Sequence, residues 1–328
     1  MPQDLAETPT AVAAHPAAPP APSAPPPTPP DDVTMVSTRD GRRLSVSEWG
    51  KRDGTAVFVL HGTPGSRVGV APRPSVLYRQ GIRLVAYDRP GYGWSDPVPK
   101  RQVVDAAQDV EDIAKALDIG RFAVVGRSGG GPHALACAAA LGDRVTRAAA
   151  LVSLAPRIGS DGMQDEWYTG MGQGNTDEYR RAEQGYETLA ESLRDRATQI
   201  HLDPGKLLDQ LLSEVQDSDL QVIADAGIRR ILKDNYKEAL QQQGAGWIDD
   251  AYSFAHDWGF RLAEVTTKVL LWHGSEDVFS PISHSLWLRK MLPDSELRTE
   301  SGAAHFDAIA RLPNVLSWLT RPEAPECD

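Results

Sequence analysis

Val124-Val125-Gly126-Arg127-Ser128-Gly129-Gly130-Gly131-Pro132 sets a Gly-x-Ser-x-Gly pattern between a short apolar run, Phe122 to Val125, and an alanine-rich helical stretch, Pro132 to Leu141. A serine at a sharp strand-to-helix turn needs a strained backbone, and flanking glycines leave room where a Cβ would clash. The stretch therefore reads as a nucleophile elbow, with Ser128 projecting above a sheet edge. The N–H groups and dipole of the following helix favour negative charge that develops there. The bland alternative is a glycine-rich turn with an idle serine.

Upstream of the elbow, Thr34 to Thr38 and Arg43 to Trp49 alternate as two antiparallel strands would. Ala56 to Leu60, Ile82 to Tyr87, Phe122 to Val125 and Ala148 to Leu154 are nearly continuous apolar runs, the pattern of strands buried on both faces of a parallel sheet. Helical spacing predicts helices over Ser75 to Gln80, Gln102 to Leu117 and Pro132 to Leu141. This alternation implies an α/β fold: a mostly parallel twisted sheet of about eight strands covered by helices on both faces. From Arg157 to Ala263 the strand rhythm stops, and Tyr179 to Asp195, Lys206 to Gln216 and Leu220 to Gln241 read as helices of an inserted module. Strands resume at Lys268 to Trp272 and Glu296 to Thr299, with a helix over Ser283 to Leu292 and a last one after Pro313. The expected organisation is a Pro/Ala-rich disordered tail over 1–30, a core over 31–156 and 264–322, and a helical insertion over 157–263.

The 328 residues, 41% of them hydrophobic, suffice for one large core. A formal net charge of −11 repels polyphosphate and anionic lipid, so neither nucleic acid nor a membrane is an expected partner. Two cysteines, Cys137 and Cys327, do not make a disulfide framework. Met1 to Pro30 lacks the basic start and apolar stretch of a secretory signal, and the expectation is a cytoplasmic chain. No zinc-type Cys/His spacing, His-Glu-x-x-His or phosphate-loop pattern occurs, and the glycines of Gly170-Met171-Gly172-Gln173-Gly174 lack a preceding strand. No metal and no cofactor are expected. Oligomeric state cannot be read.

At the elbow the chain resembles the α/β-hydrolase fold superfamily, in its serine-nucleophile branch with a helical cap, and the resemblance runs from about Thr34 to Leu319. His61-Gly62-Thr63-Pro64-Gly65 follows a buried strand at the place where the family supplies an oxyanion-hole N–H. The resemblance implies Thr63 as that donor, since Pro64 has no N–H, and Gly129 as the second. A plain turn explains the same loop equally well. Asp88-Arg89-Pro90-Gly91-Tyr92-Gly93-Trp94-Ser95-Asp96 also looks like the family's turn at its position, and its Pro and Gly residues point to loop shaping.

A hydroxyl at neutral pH needs a base, and histidine is the natural one. Of eight histidines, His305 in Ser301-Gly302-Ala303-Ala304-His305 follows the last strand and comes last in the order serine, acid, histidine. Glu276 and Asp277 offer adjacent carboxylates after an earlier strand, and the resemblance selects Asp277. Arg127 departs from the histidine frequent at the elbow's variable position. Its charge would lie beside the nucleophile, fit either to bind an anionic group or simply to pack. In the insertion, Trp167 and Tyr168 are candidates to line a substrate pocket, while Trp258 and Phe260 read as anchors.

The expected function is a carboxylesterase-like serine hydrolase acting on a small-molecule ester, amide or lactone through an acyl-enzyme on Ser128. A lyase or acyltransferase with the same triad, or a non-catalytic small-ligand binder, are the rival readings.

Overall fold

Continuous apolar strands have to bury both faces, and their period-2 geometry divides them between two cores. In β3 (Thr55–Leu60), Ala56, Phe58 and Leu60 enter one core while Val57 and Val59 enter the other. The same split holds in β5 (Phe122–Arg127), β6 (Val145–Leu151) and β7 (Val269–Gly274), where Phe122, Val124, Ala148, Ala150, Val269 and Leu271 face one way and Ala123, Val125, Ala149, Leu151, Leu270 and Trp272 the other. Each Val, Leu or Phe so buried contributes roughly 1.5–3 kcal/mol.

With β1 (Thr34–Ser37), β2 (Arg43–Gly50), β4 (Ile82–Tyr87) and β8 (Ser295–Glu300), these form an eight-stranded sheet in the order β1-β2-β4-β3-β5-β6-β7-β8. Only the β1–β2 and β2–β4 pairs are antiparallel. The chain order reverses at β3, between β4 on one side and β5 on the other, so the loops after β3 and β5 flank a crevice at the carboxyl edge. One face is covered by α1 (Pro74–Gln80) and α11 (Ala308–Leu319), the other by α2 (Asp105–Ala116), α3 (Gly130–Ala140) and α10 (Ile282–Met291). Helix α3 is small-sided and buried almost all round.

The computed structural model describes residues 29–30, 33–69, 72–211 and 215–321. The tail reading and Cys327 fall outside these apart from Pro29 and Pro30. Met1–Pro30 and Asp31–Asp328 are separate units, and all that follows concerns the second. Among the described residues no helix is long and apolar enough to cross a membrane.

Between β6 and β7 lie α4 (Gln173–Gln184), α5 (Tyr186–Leu202), α6 (Gly205–Leu211), α7 (Asp217–Ala224), α8 (Ala226–Ala239) and α9 (Ala245–Ala255). The helix expected over Tyr179 to Asp195 is broken at Gly185, whose φ of 141° only glycine adopts readily. That over Leu220 to Gln241 is broken at Asp225, whose carboxylate caps α8 by accepting from the Ile228 N–H at 2.9 Å. Apolar periodicity continues across both breaks and conceals them. Helix α9 lies outside the set expected from sequence. The run from Ala148 to Leu154 is strand only to Leu151, because Val152 turns to φ 46°. The last helix begins at Ala308, with Pro313 inside it, not after Pro313.

Candidate active site

Ser128 has φ 56°, and the turn is fixed by its own N–H donating to Leu151 O at 2.8 Å and its carbonyl accepting from the Gly131 N–H at 2.8 Å. A Cβ on Gly126 would lie 2.0 Å from Gly130 O, and one on Gly130 would lie 2.0 Å from Leu60 O. Those glycines let β5, β3 and the start of α3 approach closely enough to present Ser128 at the crevice.

His305 is delivered by the loop after β8. Its Nδ1–H donates to Asp277 Oδ2 at 2.8 Å, which fixes the tautomer and leaves Nε2 free to accept a proton. Asp277, 4% exposed, is held in turn by the Phe279 and Ser280 N–H groups at 2.8 and 3.1 Å on Oδ1, with His273 Nε2 3.3 Å from Oδ2. Burial alone would raise its pKa, but the imidazoles of His305 and His273 outweigh burial and hold it below the usual carboxylate range. Glu276 is exposed. Ser128 and His305 line one pocket, with about 90 Å³ of free space. The Ser128 hydroxyl takes no hydrogen-bond partner among the described residues.

Thr63 and Gly129 are neighbours: a Cβ on Gly129 would lie 2.2 Å from Thr63 Oγ1. Among the described residues neither backbone N–H is taken by another acceptor. The loop carrying Thr63 is clamped by buried Arg89, whose guanidinium donates to His61 O at 2.5 Å, Gly62 O at 3.0 Å and Thr63 Oγ1 at 3.2 Å. Arg89 thus gives the Asp88 to Asp96 turn a loop-shaping role.

Two carboxylates that the sequence did not single out tie the insertion to this site. Asp250 on α9, fully buried, pairs with Arg89 and accepts from Arg101 Nη2 at 2.6 Å, Tyr92 Oη at 2.8 Å and Thr63 Oγ1 at 2.6 Å. Burial would raise its pKa, yet Arg101 and Arg89 hold it well below the ordinary value. Asp219 on α7 accepts the backbone N–H of His305 at 3.2 Å and of Phe306 at 2.6 Å. Each is an ordinary surface-type acid in sequence, and only partners distant along the chain reveal its part.

Neither Trp167 nor Tyr168 is among the residues lining the pocket. Trp167 is fully buried with its Nε1–H on Ala155 O at 2.7 Å, packed edge-on to Tyr179 and His284. Tyr168 gives its hydroxyl to Glu183 at 2.9 Å. These aromatics anchor the insertion. Tyr179, Tyr236 and Trp247 take the pocket wall instead, with Phe279 and Phe306 from the core. Trp258 is buried and packs near Phe260, as an anchor does. His133 and Cys137 are buried in α3; burial pushes His133 down to about 3, so it is neutral as its Nδ1–H donates to Gly129 O at 2.7 Å. Arg127 lines the pocket beside Ser128. No cluster of metal-ligating side chains exists among the described residues.

The chain belongs to the alpha/beta hydrolase fold family, whose model matches residues 55–311. It is 36% identical over 125 residues to the non-heme chloroperoxidase of Streptomyces lividans, a match covering 38% of this chain and 45% of the relative. It is 32% identical over 123 residues to the bifunctional esterase/perhydrolase DCH of Acinetobacter calcoaceticus, covering 37% of this chain and 45% of the relative. Both matches thus span less than half of the relative's length. The enol-lactonase from Burkholderia xenovorans LB400 shares the fold, with a TM-score of 0.64 at 18% identity over 87% of this chain and 99% of that one.

Proposed function

We propose that the protein is a serine hydrolase that cleaves an ester-like bond of a small molecule. The observation that carries this reading is the 2.8 Å bond from His305 Nδ1 to Asp277 Oδ2, at the wall of the pocket into which the elbow presents Ser128. In the proposed reaction His305 Nε2 takes the Ser128 proton as Oγ attacks the carbonyl carbon. The Thr63 and Gly129 N–H groups hold the resulting oxyanion, and Asp277 stabilises the imidazolium. The imidazolium then protonates the leaving alkoxide. Water, deprotonated by His305, attacks the acyl-enzyme, releases the acid and restores Ser128.

A serine at the elbow does not suit chemistry that needs an aspartate nucleophile and an alkyl-enzyme ester. Transfer of the acyl group to an acceptor other than water is the second reading, favoured by the name of the Acinetobacter relative, an esterase and perhydrolase.

Ser128→Ala should lower turnover of p-nitrophenyl esters of graded acyl length by about 10⁴ to 10⁶ with substrate affinity largely kept. Mass mapping after a fluorophosphonate should find the adduct on Ser128. Near wild-type turnover in the variant, or a folded protein that takes no adduct, would remove the proposal. Product analysis with an added alcohol or with peroxide separates hydrolysis from acyl transfer.

A further inference from the structure

Arg127 is the last residue of β5 and precedes the nucleophile. Its Nε and Nη1 are shielded from solvent and have no hydrogen-bond partner, and it forms no ion pair among the described residues. Arg127 as a whole is half-buried, whereas the fully buried guanidiniums all have carboxylates: Arg67 has Asp88 and Glu238, while Arg89 and Arg101 share Asp250. The acids nearest in charge to Arg127 are already engaged, Asp277 by His305 and Asp219 by two backbone N–H groups. What Arg127 does have is the face of Phe306, 5.8 Å from its guanidinium carbon. Burial pushes its pKa down, further than the opposing pull of Tyr236, Asp219 and Asp277 restores it.

The place of this charge is specific. A Cβ on Gly62 would lie in ordinary contact with both, 3.7 Å from Arg127 Nη2 and 3.5 Å from Ser128 Cβ, so the guanidinium and the nucleophile flank the same bare glycine. Tyr236 lines the same pocket, and its hydroxyl takes no partner among the described residues. Burial raises that hydroxyl to about 12, against the opposing pull of Arg127, so it stays protonated and able to donate. A planar fork of donors with a neighbouring hydroxyl is the complement of a carboxylate. The chain's net charge of −11 offers no long-range attraction for an anion, so selection must be local.

We propose that Arg127, with Tyr236 beside it, makes the Ser128 pocket selective for esters that carry a carboxylate. This rests on the ester-hydrolase reading above. The carboxylate supplies the half-buried guanidinium's missing partner, and its pairing with Arg127 sets where the ester carbonyl lies relative to Ser128.

The test compares kcat/KM for monoethyl adipate and for ethyl hexanoate, a neutral ester of similar length, by ethanol release. Wild type should favour monoethyl adipate. Arg127→Gln should lower that preference roughly 30-fold, whatever the absolute rates, and Arg127→Lys should fall between. An equal fractional loss on both esters, or a wild type that prefers ethyl hexanoate, overturns the proposal. If Arg127→Gln does not fold, the wild-type preference and the Arg127→Lys ratio decide. Calorimetric titration of monoethyl adipate into Ser128→Ala, with and without Arg127→Lys, reads the site without hydrolysis. Measurable binding weakened by the lysine supports it, and binding that is absent or indifferent to the substitution overturns it. If that binding is found but Ser128 takes no fluorophosphonate and neither ester is cleaved, it is the hydrolase reading that fails.

Discussion

Ser128 holds a left-handed backbone with a hydroxyl that bonds to nothing among the described residues, an arrangement that costs roughly 1–3 kcal/mol. The position is paid for by neighbours and yields stability to function. Ser128→Gly should therefore abolish activity yet raise stability by about 1 kcal/mol in denaturant titration, whereas Ser128→Ala, with its Cβ still at positive φ, should not. A glycine variant less stable than wild type would show that the strain is absent. At this scale Ser128 and His305 stood out by local signatures, the glycine elbow and the loop after the final strand, whereas two adjacent acids left Asp277 to be chosen by resemblance; the fold lines one pocket with Ser128 and His305 and bonds His305 to Asp277. Trp167 and Tyr168 were misplaced because an aromatic side chain looks alike in sequence whether it lines a pocket or packs beneath one. What separates them is partners such as Ala155 and Glu183, fixed only on folding.

At the scale of elements, the strands were read well because burial on both faces leaves an uninterrupted apolar run, while the insertion's helices were merged where periodicity outlasts the backbone. Gly185 and Asp225 carried the breaks, but one glycine or one aspartate in a polar stretch is a weak signal. Asp250 links α9 to the core, and it pairs with Arg89 and Arg101, all three buried. Asp250→Ala leaves both guanidiniums buried without an acid, so unfolding free energy should fall by about 3–5 kcal/mol in urea titration. A loss under about 1 kcal/mol would mean that the two arginines find other partners. The sequence could not have named Asp250, since its contact with Thr63 spans 187 positions.

For the whole molecule, acid groups pull in opposing directions. Asp109, 2% exposed on α2, is pushed up to about 6 by burial despite its 2.8 Å bond from Arg42. Its folded value lies above the unfolded one near 4, so between about pH 4 and 6 the folded state binds more protons and loses stability as pH rises. Asp109→Asn removes that slope. The stability difference, variant minus wild type, should grow from about pH 4 to pH 6 and then level, measured as thermal midpoints across the range. A difference that shrinks over that interval would contradict the assignment.

The two acids that join the insertion to the oxyanion loop and to the histidine loop limit how freely this protein can be recombined. Exchanging everything between β6 and β7 for a relative's segment, an obvious route to new specificity, would remove Asp219 from behind His305 and Asp250 from behind Thr63 in one stroke. A transplanted roof would have to bring its own two anchors, or the chimera would inherit a new pocket over disabled chemistry.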